Sequence, residues 1–182
     1  MSKVIELKNC RLSFPHVFEH GSFGGESTGK YEATFLLPKS DEKTYNAIMA
    51  EVEATKGKTK IPSNKVCVLD GDELDDDYSA GHWVIRTSNK NRPTLVNRSG
   101  TPVTKEDNEV NPMFFGGATV NSFISFWLQN NSYGKRINGN LAGIQYVSGD
   151  VMDDGFGDLG TVKTDMFTVL DDPETDEADT DF

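Results

Sequence analysis

Several residue types that commonly carry chemistry are scarce in this chain. Its 182 residues include only two cysteines, Cys10 and Cys67, and three histidines, His16, His20 and His82. Two cysteines are too few for a disulfide framework, and because both sit in apolar stretches we expect reduced thiols in the core. The histidines show no metal-ligand spacing to the cysteines, so no metal site is expected there.

Long apolar runs and nucleotide-binding or nucleophile motifs are also missing. No stretch reaches the roughly 20 apolar residues that a membrane-spanning helix needs. The first residues, MSKVIE, carry charges where a signal peptide requires an apolar run, so a cytosolic location is expected. There is no glycine-rich loop ending in Gly-Lys-Ser/Thr and no nucleophile elbow. The sequence therefore predicts no cofactor and no catalytic residues.

Basic residues are fewer than acidic ones. The chain has 18 basic and 29 acidic residues, which gives a formal net charge of −11. The distribution of the charge matters more than its sum. Residues 150–182 hold twelve acids and one base, whereas residues 1–149 hold seventeen of each. Six of the seventeen acids of the body crowd into 70–77, DGDELDDD. Outside that segment and the tail, bases outnumber acids, so an anionic ligand is compatible with the body.

Hydrophobic patterning predicts a mainly β protein. One helix is expected after Ser40 as its N-cap, because Tyr45, Ile48 and Val52 follow helical spacing before Gly57 stops it. The segment 20–30 reads as a flexible glycine-rich loop and 99–112 as a long polar loop. Strands are predicted at 4–14, 31–39, 82–90, 92–98, 116–130 and 141–147, and a short strand at 65–73 runs into the acidic turn. Segments 82–90 and 92–98 are two strands separated by Asn91 or one strand bent near Pro93. Five or six strands around one inserted helix indicate a small closed or nearly closed barrel.

Two strands carry the candidate site. Side chains alternate faces along a strand, so Arg86, Lys90 and Arg92 share one face as a cationic stripe. In 119–128 the even-numbered residues form an apolar face, which leaves Phe123 and Trp127 on the opposite, polar surface. Rings that stack on bases beside cations that contact phosphates are what binding of a single-stranded nucleic acid requires.

Other readings of these residues remain open. The two rings could pack beneath the helix or a loop, and the basic face could be merely solvated. Further candidates lie in the neighbouring turns, where barrel rims border a binding face. They are Arg98, Tyr133, Lys135 and Arg136.

The acidic segment 70–77 invites an enzymatic alternative. It fails the pattern of a calcium loop, because Asp75 stands where the turn-making glycine belongs and no glutamate closes the loop. A metal-dependent nuclease using Asp70, Asp72 and 75–77 is the alternative from the enzyme class. A solvated acidic turn is the simpler interpretation.

The order of several segments resembles a known family. CRLSFPHVFE, YEATFLLPKSD, LDGDE, SNKNRP, FFGGATVNSFISFW and LAGIQYVSGD follow one another in residues 4–150. Together they are similar to a family of bacteriophage single-stranded DNA-binding proteins that was formerly a domain of unknown function. The resemblance implies an oligonucleotide-binding (OB) fold with an inserted helix, in a protein that coats exposed single strands during phage DNA replication or recombination.

The acidic segment at the end of the sequence resembles the tails of bacterial and phage single-stranded DNA-binding proteins. The predicted organisation is a DNA-binding domain over 1–150 and a disordered acidic tail over 151–182. The tail would compete with DNA for the groove and recruit replication proteins, such as a polymerase, helicase or primase, through Asp179, Asp181 and Phe182. A homodimer is left open, and a phage structural or assembly protein is a further alternative.

Overall fold

The structure, a computed structural model, describes residues 3–149. Nine strands, two α-helices and two short 3-10 helices, Ser63–Lys65 and Gly71–Glu73, occur in that part of the chain. The strands are β1 (Ile5–His16), β2 (Ser22–Phe23), β3 (Glu26–Ser27), β4 (Tyr31–Pro38), β5 (Val68–Asp70), β6 (His82–Asn89), β7 (Thr94–Val96), β8 (Thr119–Asn131) and β9 (Gly134–Ser148). The α-helices are α1 (Glu42–Lys56) and α2 (Lys105–Val110).

Five of the strands form a closed ring. Strand β1 pairs with β4 and β8, β4 pairs with β6, and β8 pairs with β9, all antiparallel. The ring closes where β6 runs parallel to β9, with Thr87 opposite Gly139 and Ser88 opposite Asn140. Strands β5 and β7 extend the sheet at β6 and β9, while β2 and β3 form a separate hairpin. The predicted mainly β fold with one main helix is confirmed, and the expected closed or nearly closed barrel is present as a ring of five strands.

The inside of the ring is filled by one apolar cluster. Alternate residues of the strands point inward because successive side chains in a strand face opposite sides. Helix α1 adds Ile48 and Val52, and both are fully buried. The largest fully buried side chains are Phe35, Phe126, Leu7, Leu12, Leu36, Leu37, Ile48, Ile85, Ile124, Ile137, Leu141 and Ile144.

Helix α1 begins one residue later than the sequence pattern suggested. Its N-cap is Asp41, whose carboxylate accepts a hydrogen bond from the Thr44 amide at 3.2 Å. The prediction that Ser40 caps the helix is therefore wrong, since the carboxylate of the next residue satisfies the free amide. Gly57 ends the helix as predicted, in a backbone conformation with φ of 57° that glycine adopts readily.

Two predicted loops contain short ordered elements. In segment 20–30, β2 and β3 form their hairpin. In segment 99–112, α2 begins with a capping box in which the side chains and amides of Thr104 and Asp107 bond reciprocally. The last strand also starts at Gly134 rather than at Leu141, because it pairs with β8 over the whole hairpin. These short or irregular elements produce no strong hydrophobic periodicity in the sequence, so the hydrophobic pattern did not predict them.

Both cysteines are free, as predicted. Cys10 is fully buried and Cys67 is partly buried against the core. Burial raises the pKa of each thiol to about 12, so neither holds appreciable thiolate at neutral pH. Within residues 3–149 no helix is long and apolar enough to cross a membrane. The predicted tail, 151–182, lies outside the described residues.

Candidate nucleic-acid interface

A basic groove of about 530 Å³ lies on the outer surface of the ring. Residues of β1, β4, β5, β6 and β9 line it, together with the segments that precede β4 and β5. Three cationic side chains border this groove: Lys30, Arg86 and Arg136. One carboxylate, Glu32, stands among the lining residues. The groove therefore offers an excess of positive charge to an anionic ligand.

Strand alternation places Arg86 in the groove. Its neighbours Ile85 and Thr87 are buried, and the Thr87 hydroxyl donates to the Ala33 carbonyl oxygen at 2.8 Å. Fixing these two residues inward leaves the Arg86 side chain exposed on the outside of β6. Its cross-strand partner Thr34 lines the same groove.

Arg136 reaches the groove from strand β9. Ile137 beside it is buried, so Arg136 and Asn138 both lie on the outer face. Asn138 lines the groove and donates to the Gln129 side-chain oxygen at 2.9 Å across the hairpin. Arg136, a candidate drawn from the turn near the barrel rim, thus lines the same groove as Arg86, the first candidate on the basic strand.

The other two residues of the expected cationic stripe, Lys90 and Arg92, do not line the groove. Strand β6 ends at Asn89, so alternation does not carry on to Lys90 or Arg92. Lys90 is exposed beyond the end of the strand. Arg92 donates to the Phe18 carbonyl oxygen at 3.2 Å, and its guanidinium lies 5.8 Å from the centre of the Tyr31 ring. The structure therefore brings Arg86 into the groove and places Lys90 and Arg92 outside its lining.

The two predicted rings lie on the outer face of β8, and the predicted facing of this strand is confirmed. Phe123 is 38% and Trp127 is 47% exposed, while Val120, Ile124 and Phe126 are buried. Trp127 borders a second groove of about 490 Å³ next to α1, and Phe123 borders a third of about 460 Å³ with β7. Neither ring lines the basic groove. Trp127 does pair across the hairpin with Asn138, which lines it.

The remaining turn candidates are spread around the rim. The guanidinium of Arg98 donates to the Val147 carbonyl oxygen. Tyr133 is 89% exposed at the β8–β9 turn, and Lys135 is exposed next to it. None of these three lines the basic groove.

Sequence reasoning missed Phe14, His16 and Lys30, which all line the basic groove. Lys30 directly precedes β4, where alternation could have indicated it. Phe14 gives no such signal, because its backbone has a positive φ of 47° that interrupts the alternation of β1. The register between β1 and β4 shifts between Ser13 and His16. A positive φ and a shifted register are properties of the folded sheet and are not visible in the pattern of residue types.

The acidic turn after β5 is held by a lysine. Lys39 Nζ lies 2.5 Å from an Asp70 oxygen and 2.6 Å from an Asp72 oxygen. Hydrogen bonding to Lys39 lowers the pKa of both carboxyls, and the same bonds raise the pKa of Lys39. Lys39 also lies 4.7 Å from the centre of the Trp83 ring. Both carboxylates are therefore already paired with the ammonium group of Lys39.

A metal centre finds no support in this turn. Within residues 3–149 no group of three or more histidine, cysteine, aspartate or glutamate side chains is placed to hold a metal ion.

The predicted partner-binding residues lie outside the described residues. They are Asp179, Asp181 and Phe182.

The ring of five strands, its inserted helix and its basic outer groove define a protein of the OB-fold class. The chain belongs to the family described as Enterobacter phage Enc34, ssDNA-binding protein, whose model matches residues 2–177. The resemblance of residues 4–150 to phage single-stranded DNA-binding proteins is thereby confirmed. The family and its solved member from bacteriophage Enc34 are described as single-stranded DNA-binding proteins, which argues against the nuclease alternative.

Individual relatives agree with this assignment. The chain is 31% identical over 187 residues to protein p50 of Acyrthosiphon pisum secondary endosymbiont phage 1, covering 95% of this chain and 97% of p50. It is 34% identical to the single-stranded DNA-binding protein of bacteriophage Enc34 solved in complex with ssDNA, with a TM-score of 0.72 over 81% of this chain and 87% of that one. The single-stranded DNA-binding protein gp2.5 of bacteriophage T7 is 15% identical, with a TM-score of 0.50 over 84% of this chain and 96% of that one, and shows the fold alone.

Proposed function

We propose that this chain binds single-stranded DNA by laying the phosphate backbone along the basic groove. The observation that carries the proposal is the convergence of Lys30, Arg86 and Arg136 from three separate parts of the chain on one outer surface. The lone lining carboxylate, Glu32, accepts a hydrogen bond from the Thr28 hydroxyl at 2.6 Å. Three cations against one engaged carboxylate favour phosphate over any cationic ligand.

The proposed path continues from the groove across β9 to Trp127. Asn138 lines the groove on one side and lies opposite Trp127 in the hairpin on the other. The ring of Trp127 is open to solvent and can accept a base, and stacking on one ring contributes roughly 1–3 kcal/mol. Phe123 lies four residues back on the same face of β8 and extends the path toward β7.

The wider role follows from the chemistry and from the family. A protein that covers single strands without a catalytic centre is suited to protecting DNA intermediates in phage replication or recombination. Residues 150–182 carry twelve acids and one base, and we propose that this acidic segment competes with DNA for the groove. Asp179, Asp181 and Phe182 would then offer an acidic, aromatic handle to a replication protein such as a polymerase, helicase or primase.

Titration with a fluorescent oligo-dT strand at two salt concentrations tests the binding proposal. Wild-type protein should bind with an affinity that falls as salt rises. Arg86→Ala and Arg136→Ala should weaken binding and lower the salt slope by up to about 0.7 for each lost phosphate contact. Lys43→Ala, which removes an equal charge from the exposed surface of α1, is the matched control and should change neither.

Two outcomes would contradict the proposal. Wild-type protein without salt-dependent affinity for the strand would favour a structural or assembly role. An equal loss of affinity in Lys43→Ala and Arg86→Ala would mean that net charge, and not the groove, attracts DNA.

The oligomeric state needs its own measurement. Sedimentation of the free protein in the same buffers distinguishes a monomer from a homodimer.

The partner proposal needs a separate experiment. Wild-type and Phe182→Ala proteins are used to capture proteins from infected-cell extract. A buried aromatic side chain contributes on the order of 1.5–3 kcal/mol, so the variant should lose the replication protein that the tail engages. Its affinity for oligo-dT should stay within about twofold, because every charge remains. Identical captured sets would refute the handle.

A further inference from the structure

Phe14 is unusual in both its exposure and its backbone. The side chain is 63% exposed although Phe14 lies in β1, where Leu12, two residues earlier, is fully buried. Its φ of 47° lies in the left-handed region, which bulky residues rarely occupy. Because most of the ring is in solvent, hydrophobic burial does not explain why a phenylalanine occupies this backbone conformation. Such strained residues persist where the surrounding structure holds them, often at binding sites.

The strain extends to the preceding residue. The β1–β4 register shifts between Ser13 and His16, so the strand bulges at this point. The Ser13 side chain is 1% exposed, and its hydroxyl makes no hydrogen bond within residues 3–149. A buried unpaired hydroxyl is a second local cost, since buried polar groups are nearly always paired. Both costs accompany the backbone that turns Phe14 outward.

The ring of Phe14 is oriented toward the basic groove. It lines the groove together with Arg86 and with Thr34, the cross-strand partner of Arg86. It meets the Tyr78 ring edge to face, with centroids 5.9 Å apart and ring planes at 66°. Such a contact fixes the orientation of the ring while most of its surface stays in solvent. A fixed, exposed ring beside a cation is the arrangement on which an unpaired base stacks.

We propose that Phe14 is the base-stacking platform of the basic groove and takes one unpaired base of a single strand while Arg86 contacts the adjoining phosphate. This rests on the proposed function, of which it names the element that recognises bases. A base inside a duplex is stacked on its neighbours and has no free face to offer. The platform therefore favours single-stranded over double-stranded DNA, which the cations alone do not distinguish.

Replacing Phe14 with glycine separates binding from folding. Phe14→Gly removes the strained side chain, so the melting temperature should rise or hold. Affinity for oligo-dT should fall about five- to 150-fold, which corresponds to the ~1–3 kcal/mol of one stacked base, with the salt slope unchanged. Phe14→Leu should lose a similar amount, whereas Phe14→Trp should keep most of the affinity. Asn9→Gly is the matched control, because Asn9 also has a positive φ, 54°, but does not line the groove.

The outcomes decide between a platform and a structural ring. A fall in melting temperature for Phe14→Gly with unchanged affinity would overturn the platform, as would equal losses of affinity in Phe14→Gly and Asn9→Gly. A second measurement uses an oligonucleotide containing 5-iodouracil, which should crosslink to Phe14 or Tyr78. Crosslinks confined to Trp127 or Phe123 would also overturn it. Failure of wild-type protein to bind any strand would instead contradict the proposed function itself.

Discussion

At the scale of single residues, the contacts of Lys39 distinguish an ion-paired structural turn from a metal site in the acidic segment 70–77. The sequence shows a dense run of carboxylates that could hold a metal ion. In the folded protein Lys39 Nζ, from the end of β4, bridges Asp70 and Asp72 and lies over the Trp83 ring. Trp83 in turn stacks on Tyr45 of α1, with ring centroids 4.3 Å apart. One cation therefore joins the turn, the sheet and the helix.

Lys39→Met should lower the melting temperature at pH 7 by exposing two uncompensated carboxylates. The pKa values of Asp70 and Asp72 are depressed in the folded protein, so their stabilising contribution is present above the unfolded value of about 3.9 and is lost as pH falls through the folded pKa. The difference in melting temperature between wild type and Lys39→Met should therefore shrink from pH 7 to about pH 3.

Differential scanning fluorimetry across that range checks the prediction. Because the side chains are partly exposed, added salt should reduce the difference as well. Lys43→Met, on the exposed surface of α1, is the control. An unchanged melting temperature for Lys39→Met at pH 7 would show that Lys39 stabilises the fold through its hydrocarbon chain, which methionine largely retains, and not through its charge.

At the scale of elements, helix α1 shows how one residue sets a boundary. Asp41 caps the helix, and Ser40 next to it makes no cap. Asp41→Ala should cost about 1 kcal/mol of unfolding free energy, because the Thr44 amide loses its partner. Ser40→Ala should change stability by less than about 0.5 kcal/mol. Urea unfolding of the two variants measures this, and equal losses would mean that the cap is shared.

The closure of the ring depends on a glycine at the β6–β9 contact. A Cβ atom on Gly139 would lie 2.6 Å from the Arg86 carbonyl oxygen and 3.0 Å from Thr87 Cγ2. At Gly143, on the same strand, the nearest atom is the Thr94 carbonyl oxygen at 3.2 Å. The tighter contact involves the backbone of Arg86, one of the three cationic residues that line the groove.

Gly139→Ala should therefore separate β6 from β9, whereas Gly143→Ala should be absorbed by a small shift. We expect Gly139→Ala to cost about 1–3 kcal/mol of unfolding free energy, as overpacking does, and to weaken oligo-dT binding. Gly143→Ala should cost less and bind normally. Denaturant unfolding and the fluorescent titration test both effects, and a reversed order of the two variants would contradict the account of ring closure.

At the scale of the whole molecule, charge is divided between a balanced body and an acidic tail. Residues 1–149 hold seventeen acids and seventeen bases, and residues 165–182 hold eight acids with no base. On the proposed function, the basic groove of the neutral body would attract phosphate locally and the acidic segment would oppose it. The net charge of −11 by itself says nothing of either effect.

Deletion of residues 165–182 should tighten oligo-dT binding at about 0.05 M salt and have little effect at about 0.5 M, since screening weakens both competitors. A full-length variant with the eight acids changed to asparagine or glutamine is the control. It should tighten binding to the same extent if charge is the cause. Equal affinities for the full-length and shortened proteins at low salt would rule out competition for the groove.

The sequence by itself determined the features that depend on local periodicity. A strand repeats every two residues, so the pattern of β8 was enough to put Phe123 and Trp127 outside and Val120, Ile124 and Phe126 inside. The inward helix positions Ile48 and Val52 followed from the helical period in the same way. The closed sheet followed from the number of such strands. Even α2 has a local signal in the sequence, because Thr104 and Asp107 form its capping box.

Only the tertiary structure decided which side chains share a groove. Arg86 and Arg136 meet because β6 and β9, distant in the chain, run side by side where the ring closes. Lys90 and Arg92 separate from Arg86 because the strand ends at Asn89. Phe14 enters the groove through a bulge with a positive φ. Strand ends, bulges and long-range pairing depend on the packing of the whole sheet, whereas alternation depends only on the geometry of successive residues.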